Sequence, residues 1–166
     1  MTTNTKSLQA LYGPHSICFG CGPQNPQGLR LQSYPEGEHC VCRYQASPHH
    51  QAFPGVLNGG FLGCLFDCHS NWTAAWAWHQ KNGGAFPSTV TAEFQVKLKR
   101  PTPYPSQLVL KARATQMDGE SIHVATELWA TVTPTAASNE KKILTATGSG
   151  IFIVVKPGHP AYHRWD

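Results

Sequence analysis

The sequence predicts an α+β domain in which an antiparallel sheet wraps around one long central helix. Two observations carry that prediction. One stretch, from about Gly60 to Gln80, is apolar almost all the way round, with Phe61, Leu62, Leu65, Phe66, Trp72, Ala75, Trp76 and Trp78. A helix of that kind is expected to be buried rather than to show one wet face. Around it lie period-two runs joined by short links, which force neighbouring strands to run antiparallel.

Before the helix, Leu29–Tyr34 and His39–Tyr44 read as strands, with Pro35-Glu-Gly37 as the turn of a hairpin. Cys40, Cys42 and Tyr44 fall on one face of the second strand and Val41 and Arg43 on the other. Ser47–Gly60 is rich in Pro and Gly and reads as loop. The helix stops at Asn82-Gly-Gly84, glycine being favoured just past a helix end. Thr89–Leu98 then alternates, with Val90, Ala92, Phe94, Val96 and Leu98 on one face and Thr91, Glu93, Gln95 and Lys97 on the other. Pro101, Pro103 and Pro105 break the run. Gln107–Gln116, Ser121–Thr133 and Lys142–Lys156 complete the strands, with Met117-Asp-Gly119 as a turn and Pro134–Glu140 as a polar loop. The expected organisation is a flexible lead-in over residues 1–17, one domain over 18–156 and a tail over 157–166.

Of the 166 residues, 40% are apolar and only 13% charged, a low charge content for an isolated surface, which favours a homo-oligomer. The formal charge of +4 comes without a Lys/Arg run, so it suits an anionic small molecule and not a nucleic acid. Met1–Ser7 has no apolar core of a signal peptide, and no apolar stretch reaches the roughly 18 residues of a membrane span. A cytoplasmic protein with six reduced cysteines and no membrane partner is the expectation.

The segment Phe53-Pro-Gly-Val-Leu-Asn-Gly-Gly-Phe-Leu-Gly-Cys-Leu-Phe-Asp67 concentrates the chemistry. Gly59 and Gly60 leave backbone N–H groups bare at the helix start, where unpaired donors and the positive end of the macrodipole favour a developing oxyanion. Asn58 adds a side-chain amide. Asp67 lies about two turns on, sharing a stripe with Gly60, Cys64 and Asn71. A carboxylate in an apolar helix is costly to bury without partners. It is either a functional group or a structural acceptor.

The segment resembles the helix motif of the hotdog-fold acyl-CoA thioesterases, particularly the phenylacetate-pathway and 4-hydroxybenzoyl-CoA type. That motif has His-Gly-Gly with an acidic residue nine positions after the His; here Asn58-Gly59-Gly60 precedes Asp67 at the same spacing. Thr89–Pro101 resembles the family's strand after the helix, and Cys18-Phe-Gly-Cys-Gly-Pro-Gln-Asn-Pro-Gln-Gly-Leu29 resembles a lead-in found in some members. The resemblance implies hydrolysis of an acyl-CoA thioester, with Asp67 as nucleophile or general base. It further implies Gly59 and Gly60 N–H as oxyanion donors, Thr91 positioning water, and a site formed between two subunits of a dimer or dimer of dimers. The family's His is Asn58 here, which can donate a hydrogen bond but cannot titrate. An acyl-thioester hydratase or dehydratase and a non-catalytic acyl-CoA binder are the alternatives. Phe53 and Asn71 are candidate pocket residues, and Lys99 and Arg100, with Lys97 beside them, are candidate contacts to CoA phosphates.

Cys18-x-x-Cys21 with Cys40-x-Cys42 could offer four thiolates to zinc, but two cysteines alternating on a strand make a poor half-site. Small buried thiols are the preferred reading, with neither metal nor cofactor expected. His69 is expected in the core or an interface, His49 or His50 beside the glycine turn, and Cys64 and Cys68 as unreactive thiols.

Overall fold

The structure, a computed structural model, describes residues 6–132 and 141–165. Thr133 and the polar loop expected over 134–140 lie outside the described residues. Helix α1 spans Leu8–Tyr12 and strands β1 and β2 span Tyr34–Glu36 and His39–Gln45. A 3-10 turn at Pro48–His50 leads to a small hairpin, β3 (Gln51–Phe53) and β4 (Val56–Leu57). Helix α2 runs Gly59–Asn82, followed by β5 (Thr89–Leu98), β6 (Gln107–Asp118), β7 (Ser121–Val132) and β8 (Lys141–Val154). The main sheet has the order β1-β2-β6-β7-β8-β5, every pair antiparallel.

Helix α2 lies against this sheet as its pattern predicts. Its middle is buried on all sides: Leu65, Trp72, Ala74 and Ala75 have no exposed surface. A large side chain such as Leu65 contributes roughly 1.5–3 kcal/mol on burial, so the helix holds the sheet by apolar area. Gly148 of β8 is a close-approach point, where a Cβ would sit 2.6 Å from Phe66 Cδ1. Asn58 caps the helix, its Oδ1 accepting from Phe61 N at 3.0 Å, and Gly83 closes it at φ 68°.

Four expectations change. Residues 29–33 are not a strand, because their backbone turns towards the preceding loop: Leu29 N donates to Phe19 O at 2.7 Å and Leu31 N to Gly20 O at 3.0 Å. The loop expected over 47–60 contains the β3–β4 hairpin. The lead-in is fixed in place over its described part: α1 buries Leu8 completely, and Gln9 Oε1 accepts from Ser33 N at 2.8 Å. The tail folds back likewise, with buried Trp165 packed 4.1 Å from Trp72, ring centre to ring centre, and its Nε1 donating to Pro87 O at 2.9 Å.

Strand β5, an edge of the sheet, departs from simple alternation. Its register against β8 slips between Thr91 and Glu93. A bulge inserts one residue, so side-chain parity reverses across it. Before it, Thr89 and Thr91 turn to α2; after it, Phe94 and Leu98 do so, over Gly63 and Gly59. Phe94 and Leu98 remain 44% and 56% exposed, leaving an apolar strip along this edge beside the start of α2.

Candidate active site

Asp67 sits on the stripe of α2 that faces β5, and the bulge is what delivers Thr91 to it. Thr91 Oγ1 donates to Asp67 Oδ1 at 2.7 Å, Asn71 Nδ2 donates to Thr91 Oγ1 at 3.2 Å, and Thr89 Oγ1 donates to Asn71 Oδ1. The chain of donors has one direction. Because Thr91 Oγ1 accepts from Asn71, its own proton is directed at the carboxylate. Asn71 and Thr89 are buried, Asp67 and Thr91 half-buried. Among the described residues Asp67 Oδ2 has no hydrogen-bond partner, so one carboxylate oxygen is held and the other is available.

Burial pushes the Asp67 carboxyl above its ordinary range; the Thr91 hydroxyl and the nearby Arg164 guanidinium pull it back in part. Arg164 was not among the residues expected here. It arrives from the folded-back tail, Nη1 donating to Thr89 O at 2.8 Å and the guanidinium lying 4.3 Å over the Trp165 ring.

At the start of the same helix, Gly59 and Gly60 lie within the first turn, and among the described residues their N–H groups have no acceptor. Gly60 and Asn58 are exposed. The Asn58 amide uses its oxygen as the helix cap, which leaves its NH2 free to donate. Seven residues of helix separate Gly60 from Asp67, about 10 Å at 1.5 Å per residue. His50 stacks on Phe61 beside this turn, ring centres 4.2 Å apart, and burial pulls it below its usual value.

Phe53 is 59% exposed on the hairpin, away from the carboxylate's hydrogen bonds. Lys99 and Arg100 are exposed just past β5, their backbone N–H groups both donating to Thr145 O, while Lys97 turns to the outer face beside Thr147. Only Asn71 of the four expected pocket residues joins the Asp67 network. A cavity of about 690 Å³ lies at the other end of α2 between Tyr12, Phe86 and Trp165, and Asp67 does not line it.

His69 is a structural residue: fully buried, it accepts from Ser33 Oγ at Nδ1 (2.8 Å) and donates from Nε2 to Cys40 O (3.1 Å), and burial lowers it to about 4. The thiols are not grouped as Cys18, Cys21, Cys40 and Cys42. Cys40 and Cys42 are fully buried in the core, where burial raises both to about 12. The sulfur that meets Cys18 and Cys21 is that of Cys68 on α2.

No protein-family model matches the chain. It is 26% identical over 117 residues to the bovine (Bos taurus) acyl-coenzyme A thioesterase THEM4, covering 70% of this chain and 41% of that protein. The rat (Rattus norvegicus) THEM4 is 23% identical over 120 residues, covering 72% and 45%. The chain thus spans less than half the length of these curated relatives. Among solved structures, a thioesterase superfamily protein from Shewanella loihica aligns with TM-score 0.60 and 26% identity, over 76% of this chain and 91% of that one. An acyl-CoA hydrolase from Staphylococcus aureus, solved with butyryl coenzyme A and coenzyme A, aligns with TM-score 0.57 and 20% identity, over 75% and 71%.

Proposed function

We propose that this chain, which belongs to the hotdog-fold thioesterase superfamily, hydrolyses acyl-CoA thioesters with Asp67 as its catalytic carboxylate. The observation that carries the reading is the half-buried Asp67, oriented through one oxygen by Thr91 and bare at the other. As general base, Asp67 takes a proton from water while the water oxygen bonds to the thioester carbon. The C–S bond then breaks, and the proton passes to the leaving CoA sulfur. Attack by Asp67 itself, through an anhydride that water opens, uses the same orientation.

The two halves of the site are complementary across two copies of the chain. A carbonyl oxygen must sit about 3 Å from its donors while the attacking atom sits about 3 Å from the carbon. The roughly 10 Å along α2 is too long for Asp67 to share a thioester with its own Gly59 and Gly60. A second chain bringing its glycine turn to Asp67 supplies the missing donors, and the exposed Phe94–Leu98 strip is an apolar face suited to that contact. We therefore read the working unit as a homodimer or dimer of dimers. The bovine and rat relatives carry an acyl-CoA thioesterase name and the S. aureus hydrolase was solved with coenzyme A, which supports acyl-CoA as substrate. Phe53, Lys99 and Arg100 remain candidates for contacts to it. Among the described residues no helix is long and apolar enough to cross a membrane; a cytoplasmic site of action is part of this proposal.

The test is CoA thiol release from short, long and aromatic acyl-CoAs by wild type and Asp67→Ala. Release by wild type with a loss of about 10²-fold or more in the variant is expected for a group that moves the proton. Equal release by both proteins would overturn Asp67 as catalyst. Intact acyl-CoA bound without release would favour a binding protein.

A further inference from the structure

The loop Cys18–Gly22 and the helix turn Cys64–Cys68 bring the sulfurs of Cys18, Cys21 and Cys68 together, with Cys64 beside Cys68, although 42 residues separate Cys21 from Cys64. The Sγ atoms of Cys18, Cys21 and Cys68 all lie within 4.8 Å of one another, and Cys18 and Cys68 are 3.8 Å apart. Cys64 and Cys68 both crowd Gly20: a Cβ there would stand 2.3 Å from Cys68 Sγ and 2.9 Å from Cys64 Sγ. Only a residue without a side chain lets the loop settle this closely onto the helix.

The spacing is that of a metal centre. A tetrahedron of Zn–S bonds of about 2.3 Å has edges of about 3.8 Å, the separation found between Cys18 and Cys68. The ligand pattern is Cys-x-x-Cys on a tight turn plus Cys-x-x-x-Cys on one helix face, where positions four apart are neighbours. The fully buried Trp72 indole N–H has no hydrogen-bond partner among the described residues and lies beside Cys21. Donors of this kind orient and tune metal-bound thiolates.

We propose that Cys18, Cys21, Cys64 and Cys68 form a tetrathiolate site for a structural Zn²⁺ ion that ties the N-terminal loop to the helix carrying Asp67. The ion binds as the thiol protons leave to solvent, and it closes all four positions, so it offers no open place for substrate. This assignment is independent of the thioesterase reading. The thiol that groups with Cys18 and Cys21 is Cys68 of α2, whereas Cys40 and Cys42 lie in the core.

The experiment is elemental analysis of the whole chain purified with a non-chelating phosphine reductant, followed by replacement of the ion with Co²⁺. One zinc per chain is expected, with a cobalt spectrum showing sulfur-to-metal charge transfer and the intense visible bands of tetrahedral thiolate. Cys42→Ala should keep the metal, Cys64→Ser should weaken the charge-transfer band by about a quarter, and Cys18→Ser/Cys21→Ser should lose the ion. Chelation should lower Tm, and added Zn²⁺ should restore it. Wild type without stoichiometric zinc that also gives no thiolate cobalt spectrum would overturn the proposal, whether or not the variants fold. A Cys18–Cys68 disulfide persisting in the reduced preparation would do the same.

Discussion

Thr91→Val probes the carboxylate's hydrogen bond. Valine keeps the shape and the β-branch that suits strand β5, and removes the hydroxyl that donates to Asp67 at 2.7 Å and accepts from Asn71 Nδ2 at 3.2 Å. A hydrogen bond to a charged group is worth about 1.5–3 kcal/mol. Asp67 is half-buried, so the lower part of that range applies, about 1.5–2 kcal/mol. If the bond holds the carboxylate through the transition state, kcat/KM should fall roughly 10–30-fold, at about 1.4 kcal/mol per factor of ten. Thr91→Ser keeps the donor and should recover most of the loss. The assay is steady-state thiol release for wild type, Thr91→Val, Thr91→Ser, Asp67→Asn and the Thr91→Val/Asp67→Asn double variant, with KM and kcat separated. In the double variant the valine should cost little beyond Asp67→Asn, because the bond it removes no longer serves a carboxylate. A Thr91→Val enzyme at wild-type rate would refute the reasoning. So would a valine penalty as large in the Asp67→Asn background as in the wild-type one.

The packing makes two further predictions. Trp165→Ala removes the ring packed against Trp72 and the donor to Pro87 O; at about 3–5 kcal/mol for Trp→Ala and roughly 2–4 °C per kcal/mol for a chain of this size, thermal unfolding should show Tm lower by about 6–20 °C, whereas a shift of a degree or two would mean that the tail is not part of the core. Gly148→Ala drives a methyl to 2.6 Å from Phe66 Cδ1 and 3.0 Å from Gln95 O, so urea unfolding should show a loss of about 1–3 kcal/mol; an unchanged midpoint would refute so close an approach of β8 to α2.

What could be read from the sequence was what is local or periodic. The span of α2 follows from an unbroken apolar helix pattern ending at Asn82-Gly83-Gly84. Strands β5 to β8 follow from alternation and from turns such as Asp118-Gly119, and their short links made the sheet antiparallel. Asp67, Gly59 and Gly60 stood out because Asn58-Gly59-Gly60 with an acidic residue nine positions after Asn58 resembles the helix motif of the hotdog-fold thioesterases.

The tertiary structure decided whatever depends on residues distant in sequence. The β5 bulge is one case: strict alternation put Thr91 opposite Phe94, and only the slipped pairing with β8 turns both toward α2. Helix α1 and the tail read as loose because each is short and buries its apolar residues, Leu8 and Trp165, only against distant partners. Arg164 comes near enough to act on the carboxylate's charge because the tail folds back, which no local signal records. The cysteines are the clearest case. From spacing, Cys40-x-Cys42 was as near a companion for Cys18-x-x-Cys21 as any other pair. Cys68 is brought to them instead by a loop crossing a helix, closed through Gly20, which leaves room for the sulfurs of Cys64 and Cys68.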